Sequence, residues 1–547
     1  MSEKDIERDA ADMADETSSV TKTEQDDEEY EPIRSRAPSR PRTPRSRSLS
    51  LVRSNNGYGC DDLEEADIPD AQQGEKDPYE VGWENGDEDP ANPRSMSSFR
   101  KWLIVAVTSF GSFCVTCASS IYTSTYKQMD AEFGNSRIVA TLGLSLFVLG
   151  IAFGPMWSPL SEFYGRRPIY IIAFAVFTIW IIPTAVAKNI ETVIISRFFQ
   201  GFTGSAFLSV AGGTVGDLFT RQEMAAPMTI FTIAPFIGPS VGPLIGGLIN
   251  TWTDWRWTHY TLIIWGFCLL IAIIVLVPET YHPVLLRNKA RKLRKETGDE
   301  RWKAPIEKSN KSILRTVGLA LLRPFQILIF EPMALNLNLL SAILLGVLYL
   351  FFGAFPLVFE HNHGFNLWQV GLTFLGMFIG NIIAALTAPI WFRIRERLIE
   401  KNEKETGIPG KSEPEFRLPS VIAGAILVPI GLFWFGWTTY SSVHWIVPII
   451  GSAVFGAGTL LVFNGVFTFL VDAYPLYAAS ALAANAFVRC SFAAAFPLFG
   501  VQMYNRLGYQ WATSLLAFLT VAMMPFPYIF FRYGKKIRAK SRMATTD

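Results

Sequence analysis

The sequence predicts an all-α integral membrane protein with twelve transmembrane helices in two pseudo-symmetric six-helix halves. Three observations carry that expectation. About twelve apolar runs, each roughly 20 residues long and so long enough to cross a bilayer, fill the chain from Trp102 to Phe531. A run such as Ile169–Val186 carries no charge, and in lipid its backbone can satisfy itself only as a helix. The charges gather in the first hundred residues and in the connections, so the net charge of +1 says nothing by itself.

In chain order, residues 1–98 read as a disordered cytoplasmic tail. They are acidic at Glu24–Glu31, rich in Arg, Ser and Pro at Arg34–Arg53, and acidic again at Asp61–Asp89, with too little apolar content to fold alone. The tail lacks the pattern of a signal peptide, so the run from Trp102 is expected to act as an uncleaved insertion signal. The expected spans are 101–122, 138–160, 169–187, 191–216, 227–250, 259–277, 326–353, 368–392, 418–438, 444–470, 478–503 and 511–532. Residues 99–277 make the N-terminal half, 278–325 a basic central loop, 326–533 the C-terminal half and 534–547 a C-terminal tail. Cys114 and Cys117 form a C-x-x-C inside the first span, where small packing residues are the expected reading and redox chemistry is not.

Orientation follows from cations near the span ends. Arg100 and Lys101, Arg166 and Arg167, the loop Arg287–Lys303, Arg393–Lys404 and Lys535–Arg538 all fall on one side if the spans alternate. That side is expected to be cytoplasmic, with both termini on it. Six spans on each side of a long central loop match a transporter built from two related halves. The stretch Ala388–Arg395 after the eighth span reads as a faint counterpart of the basic turn at Gly165–Arg167.

Three motifs narrow the reading. Ser158-Pro-Leu-Ser-Glu162-Phe-Tyr-Gly165-Arg166-Arg167 lies between spans two and three. Gly165 permits a tight turn, and Glu162 and Arg166 can form a breakable charge cluster. Arg197 lies inside span four with Gln200, Gly201 and Gly204 after it, where a cation is costly and faces protein. Gly238-Pro239-Ser-Val-Gly242-Pro243-Leu-Ile-Gly246-Gly247 in span five gives a smooth groove for helix approach and prolines that bend it. These stretches resemble the signature motifs of the major facilitator superfamily, the third being its antiporter motif. Ser158 replaces the first motif's leading glycine, Phe163 its basic residue, and Thr229 a glycine of the third. With Trp83–Pro93, Trp255-Arg-Trp257, Pro278-Glu-Thr280 and Asn485–Arg489, the chain from about Trp83 onward is similar to the fungal drug:proton antiporter-1 family. The resemblance implies proton-coupled export of drugs, fungicides, self-made toxins or polyamines across the plasma membrane, with the motif residues Glu162, Gly165, Arg166, Arg167 and Arg197 as latch and coupling residues; Asp217 joins them as an acid near a span end.

No Asp or Glu lies near the middle of any span. Coupling is therefore expected at Glu162 or Asp217 near the span ends, or not at all. For the substrate cavity the candidates are Tyr349, Phe352 and Phe355 at helical spacing in span seven, Asn464 in span ten, and Asn485 and Arg489 one turn apart in span eleven. Aromatic rings with a few amides suit small, mostly apolar or cationic molecules. The alternative is a polyamine or nutrient facilitator, against which the spans' poverty in Gln, Asp and Glu argues. No phosphate loop, nucleophile elbow or metal-ligand cluster is present, so the chain reads as neither enzyme nor ATP-driven pump. The expected partners are small-molecule substrates, protons and the bilayer, with no nucleic acid, no cofactor and no second copy. In the tail, Arg45 and Arg47 precede Ser48 and Ser50 at the spacing of basophilic kinase sites.

Overall fold

The computed structural model describes residues 79–84, 86–220, 223–308, 313–407, 412–541 and 543–544. The serines at 48 and 50 lie outside them. Among the described residues twelve helices are long and apolar enough to cross a membrane: α1 Ser98–Phe133, α2 Arg137–Tyr164, α3 Arg166–Ala185, α4 Ile190–Leu218, α5 Ala226–Trp252, α6 Arg256–Leu276, α7 Pro332–His363, α8 Leu367–Thr406, α9 Pro414–Trp437, α10 Ile446–Ala473, α11 Pro475–Leu507 and α12 Tyr509–Arg538.

Packing repeats between the halves. In the first half α1 packs on α5, α2 on α4, α3 on α4 and α3 on α6. In the second, α7 packs on α11, α8 on α10, α9 on α10 and α9 on α12. Each pair is the earlier one advanced by six helices, which is the pseudo-symmetry the sequence implies. Side chains are sorted for lipid: Ile264, Phe267, Ile271 and Val275 of α6 face outward, while Arg197, Gln200, Asn338 and Asn485 are buried.

Three segments depart from the sequence reading. Helix α7 begins at Pro332, six residues later than expected, because Pro332 sits in the first helical turn after the break at Glu331. A separate helix, Ile313–Phe330, precedes it, so the loop boundary expected at 325/326 falls inside a helix. Helix α8 runs on as a polar helix to Thr406 and ends at Gly407 with φ +69°. That continuation contains Ala388–Arg395, so this stretch is not a turn.

Residues 79–84 and 86–98, expected to be part of the disordered tail, are ordered. Val81 N–H donates to the Lys303 carbonyl (3.0 Å) and Lys303 N–H to that of Tyr79 (3.1 Å). Val81 joins Ala290 and Ala304 in a small apolar cluster. Lys289 Nζ reaches Glu84 (2.9 Å) and Asp89 (3.4 Å). A segment too polar to fold alone is held by the central loop's helix His282–Thr297, whose cations complement its acids.

Candidate functional site

A cavity of about 790 Å³ lies between the halves. Its mouth is on the basic face, lined by Ser158 and Pro159 of α2, Met224 and Met228 at the start of α5, Arg395 of α8, Arg417 of α9, Asp472 of α10 and Ser480 of α11. Its depth is lined by Thr116, Phe236, Tyr349, Asn464, Phe467, Asn485 and Arg489. At the opposite end the halves meet. Ser119 Oγ and Tyr349 Oη are 2.8 Å apart, Lys127 Nζ donates to Glu360 Oε2 at 2.6 Å, and Trp252 stacks near Trp368. A cavity open at one face and sealed at the other is one of the two end states of alternating access.

Of the residues the sequence nominates for the cavity, Tyr349, Asn464, Asn485 and Arg489 line it. Phe352 and Phe355 do not. Phe355 packs on Phe374 (4.5 Å between centroids) and Phe435 (5.1 Å), and Phe352 on Phe374 (5.5 Å), so their face of α7 is turned to α8 and α9. Helical spacing shows that two rings share a face, not which neighbour the face meets.

The turn between α2 and α3 is built on Gly165, with φ +104°, a conformation that side chains resist. A Cβ there would also stand 2.8 Å from Glu279 Cδ. Glu279 accepts from the backbone N–H of Arg166 (2.8 Å) and Arg167 (3.2 Å). Arg166 Nε donates to Asp217 Oδ2 at 3.3 Å, both side chains 2–3% exposed, and its Nη1 to Ser161 Oγ. Tyr281 stacks on the guanidinium at 4.7 Å. Arg167 Nη2 donates to the Ile274 carbonyl at 2.9 Å. Glu162 is buried in the same end of α2. Arg166 is thus hydrogen-bonded to Asp217, 51 residues on, and Glu162 belongs to the same buried charge cluster.

Arg197 Nη1 and Nη2 donate to the carbonyls of Ala118 (2.8 Å) and Ser119 (2.9 Å), where α1 tightens into a 3-10 turn at Tyr122–Thr125 and its carbonyls need donors. Tyr122 and Phe147 sandwich the guanidinium at 4.5 and 4.2 Å. The glycines of α5 face α1: a Cβ on Gly238 would come within 2.8 Å of Cys117 N, on Gly242 within 2.8 Å of Ile121 N, and on Gly246 within 2.7 Å of the Ile121 carbonyl. Gly247 faces the other half, 2.9 Å by the same measure from the Leu367 carbonyl. Pro239 lines the cavity, and the Pro243 carbonyl accepts from Ser124 Oγ at 3.5 Å.

Residues 108–497 match the family model of the Major Facilitator Superfamily. The chain belongs to that superfamily. It is 58% identical over 84% of its length, and 89% of the relative's, to a protein named efflux pump atB of Aspergillus terreus. It is 42% identical to one named probable drug/proton antiporter YHK8 of Saccharomyces cerevisiae, over 86% of this chain and 91% of that one. A third, named major facilitator superfamily multidrug transporter mdrA of Aspergillus fumigatus, is 42% identical over 86% of this chain and 76% of its own. Among solved structures, the xylose transporter XylE from E. coli superposes with a TM-score of 0.57 at 16% identity, covering 79% of this chain and 98% of that one. The last likeness concerns the fold alone.

Within this superfamily member, sequence reasoning missed four contributors. Glu279 stood in a noted stretch without a role. Glu415 and Arg538 form a buried bidentate pair (2.7 and 2.9 Å) between residues 123 apart, which no local pattern announces. Phe236 precedes the glycines of α5 and lies on another face of that helix, and its ring stacks on Phe463 at 4.6 Å; nothing in the local sequence marks that partner.

Proposed function

We propose that the protein is a secondary active transporter of the plasma membrane that exports small, mostly apolar toxic molecules by alternating access in exchange for protons. It works as a monomer with its basic face and both chain ends in the cytoplasm. The observation that carries the reading is the cavity between the halves, open on the face that concentrates the cations and sealed at the other end. On that orientation the structure receives its cargo from the cytoplasm. The relatives' names, efflux pump and drug/proton antiporter, support the direction of transport and its coupling. The ties at Arg166, Asp217 and Glu279 lie beside the mouth, where a rearrangement between the halves has to pass. Arg197 holds α1 to α4, and the glycines of α5 let α1 approach closely enough to move with it.

The test is a toxin panel in a pump-deficient yeast with and without this gene. Expression should raise tolerance to some members and lower their accumulation, and a protonophore should abolish that difference. Undiminished uphill export after the pH gradient is collapsed removes the proton coupling. No change in accumulation of any compound removes the export reading.

A further inference from the structure

We infer that the cavity takes organic anions, small molecules that join a flat apolar ring to one acidic group, with the acid docked at Arg489. The inference builds on the export reading only for the direction of movement. Its first support is the charge of the lining: Arg395, Arg417 and Arg489 against one carboxylate, Asp472. Asp472 is already bound to Arg417 at 2.8 Å. A wall with surplus positive charge attracts anions and repels cations.

The second support is Arg489 itself. Its guanidinium lies over Phe467 (4.9 Å), Phe463 (5.4 Å) and Phe236 (5.8 Å). Those rings stabilise its positive face, but they accept nothing from its N–H groups. Nε and Nη1 have no hydrogen-bond partner in the structure. Arg197 shows the contrast, since carbonyls receive both of its terminal nitrogens. A guanidinium offers five donors in a planar fork, and a carboxylate or enolate fills such a fork with two charge-assisted bonds. Asn485, one turn before Arg489, keeps its Nδ2 on Asn338 Oδ1 at 3.0 Å, and it lines the cavity beside Arg489.

The third support is the aromatic lining beside Arg489: Phe236 and Phe467 both line the cavity there, 6.2 Å apart between centroids. Their apolar edges give the ring of an amphiphilic anion a seat near its counter-charge. A monoanion leaving the cytoplasm is also driven outward by an inside-negative membrane potential, which adds to the driving force of the proton exchange.

The experiment uses the purified full-length protein and three probes with one ring system: 1-naphthoate, 1-naphthamide and 1-naphthylmethylammonium. Binding is followed by tryptophan fluorescence, and transport in sealed vesicles with the basic face outward. Naphthoate should bind about tenfold or more tighter than the amide, and the ammonium weakest. Arg489→Gln should erase the preference for naphthoate over the amide, and Arg489→Lys should keep part of it. Equal binding of the three, a preference for the ammonium, no binding of naphthoate, or a preference that survives Arg489→Gln each overturns the inference. If Arg489→Gln does not fold, the wild-type ranking decides alone. Naphthoate that binds through Arg489 and is not carried leaves the anion site standing and overturns export of this class, while the toxin panel decides export itself.

Discussion

The two halves tie the start of their third helix to the ends of their fourth and sixth, with opposite choices of what to bury. In the first half Arg166 at the start of α3 pairs with Asp217 at the end of α4, nearly fully buried. Glu279, after α6, takes backbone amides of the same turn. In the second half Arg417 at the start of α9 pairs with Asp472 at the end of α10, with the two side chains 21% and 31% exposed. There the buried pair is Glu415 with Arg538 at the end of α12, 4% and 3% exposed. The position is repeated while the charge facing the sixth helix is reversed: a carboxylate after α6, an arginine at the end of α12. What the architecture fixes is that three helix ends meet. Which pair is stripped of water differs, and with it the cost of breaking each.

The largest expected effect breaks the buried member. Asp217→Ala leaves Arg166 buried without its counter-charge and should cost about 3–5 kcal/mol. It should be read as a lower melting midpoint in detergent and less protein in the membrane fraction. Glu415→Ala in the other half should cost about the same, because Arg538 is stranded in the same way. If only the first-half variant is destabilised, the equivalence of the two buried pairs fails.

Next comes Arg197, which ties α4 to α1 within the first half. Arg197→Ala should cost about 1–3 kcal/mol for each α1 carbonyl left without a donor. Arg197→Lys should recover part, because one ammonium cannot match the two-pronged reach of the guanidinium. A melting midpoint unchanged in Arg197→Ala would show that the tie does not hold α1.

Smaller still is Asp472→Ala. Its pair is partly exposed, so solvent screening leaves about 0–1 kcal/mol to lose. Transport should change more than stability, because Asp472 and Arg417 both line the cavity and removing the carboxylate makes the wall more positive. A stability loss as large as that of Asp217→Ala would erase the distinction between the halves.

The helix count, the two halves and the Arg166 turn were legible because lipid imposes a long apolar signal and leaves its exceptions conspicuous. Arg197 and Arg489 stood out as cations within apolar runs. Their partners did not. Whether an arginine is bonded to carbonyls or left with open donors depends on helices 78 residues away in one case and on rings from α5 and α10 in the other. The face of Phe352 and Phe355 was misjudged for the same reason, since both sides of α7 are buried in protein. Residues 79–98 read as tail because their acids looked solvated, while the lysine that pairs with Glu84 and Asp89 lies 205 and 200 residues on.

That ordered lead-in carries the smallest expected effect, and it lies outside both bundles. Asp89 accepts from the backbone N–H of Ala91 (2.9 Å) and of Glu84 (3.2 Å) and faces Lys289. The Ala91 amide above all, then Glu84 and the Lys289 charge, hold its carboxyl below the usual carboxylate range. A carboxyl held low adds to stability above its ordinary pKa and loses that contribution as pH falls through its lowered one. The clip between Tyr79–Asp89 and the central loop should therefore be indifferent to pH near neutrality and loosen only in acid. The readout is exchange of the Val81 amide, which is bonded to the Lys303 carbonyl, corrected for intrinsic rates. Asp89→Asn should flatten the acid response and leave transport unchanged, because none of the clip's residues lines the cavity. An acid response that persists in Asp89→Asn would show that Asp89 does not set it. Lost transport in that variant would instead show that the lead-in acts on the halves through the helix His282–Thr297, next to the Arg166 turn.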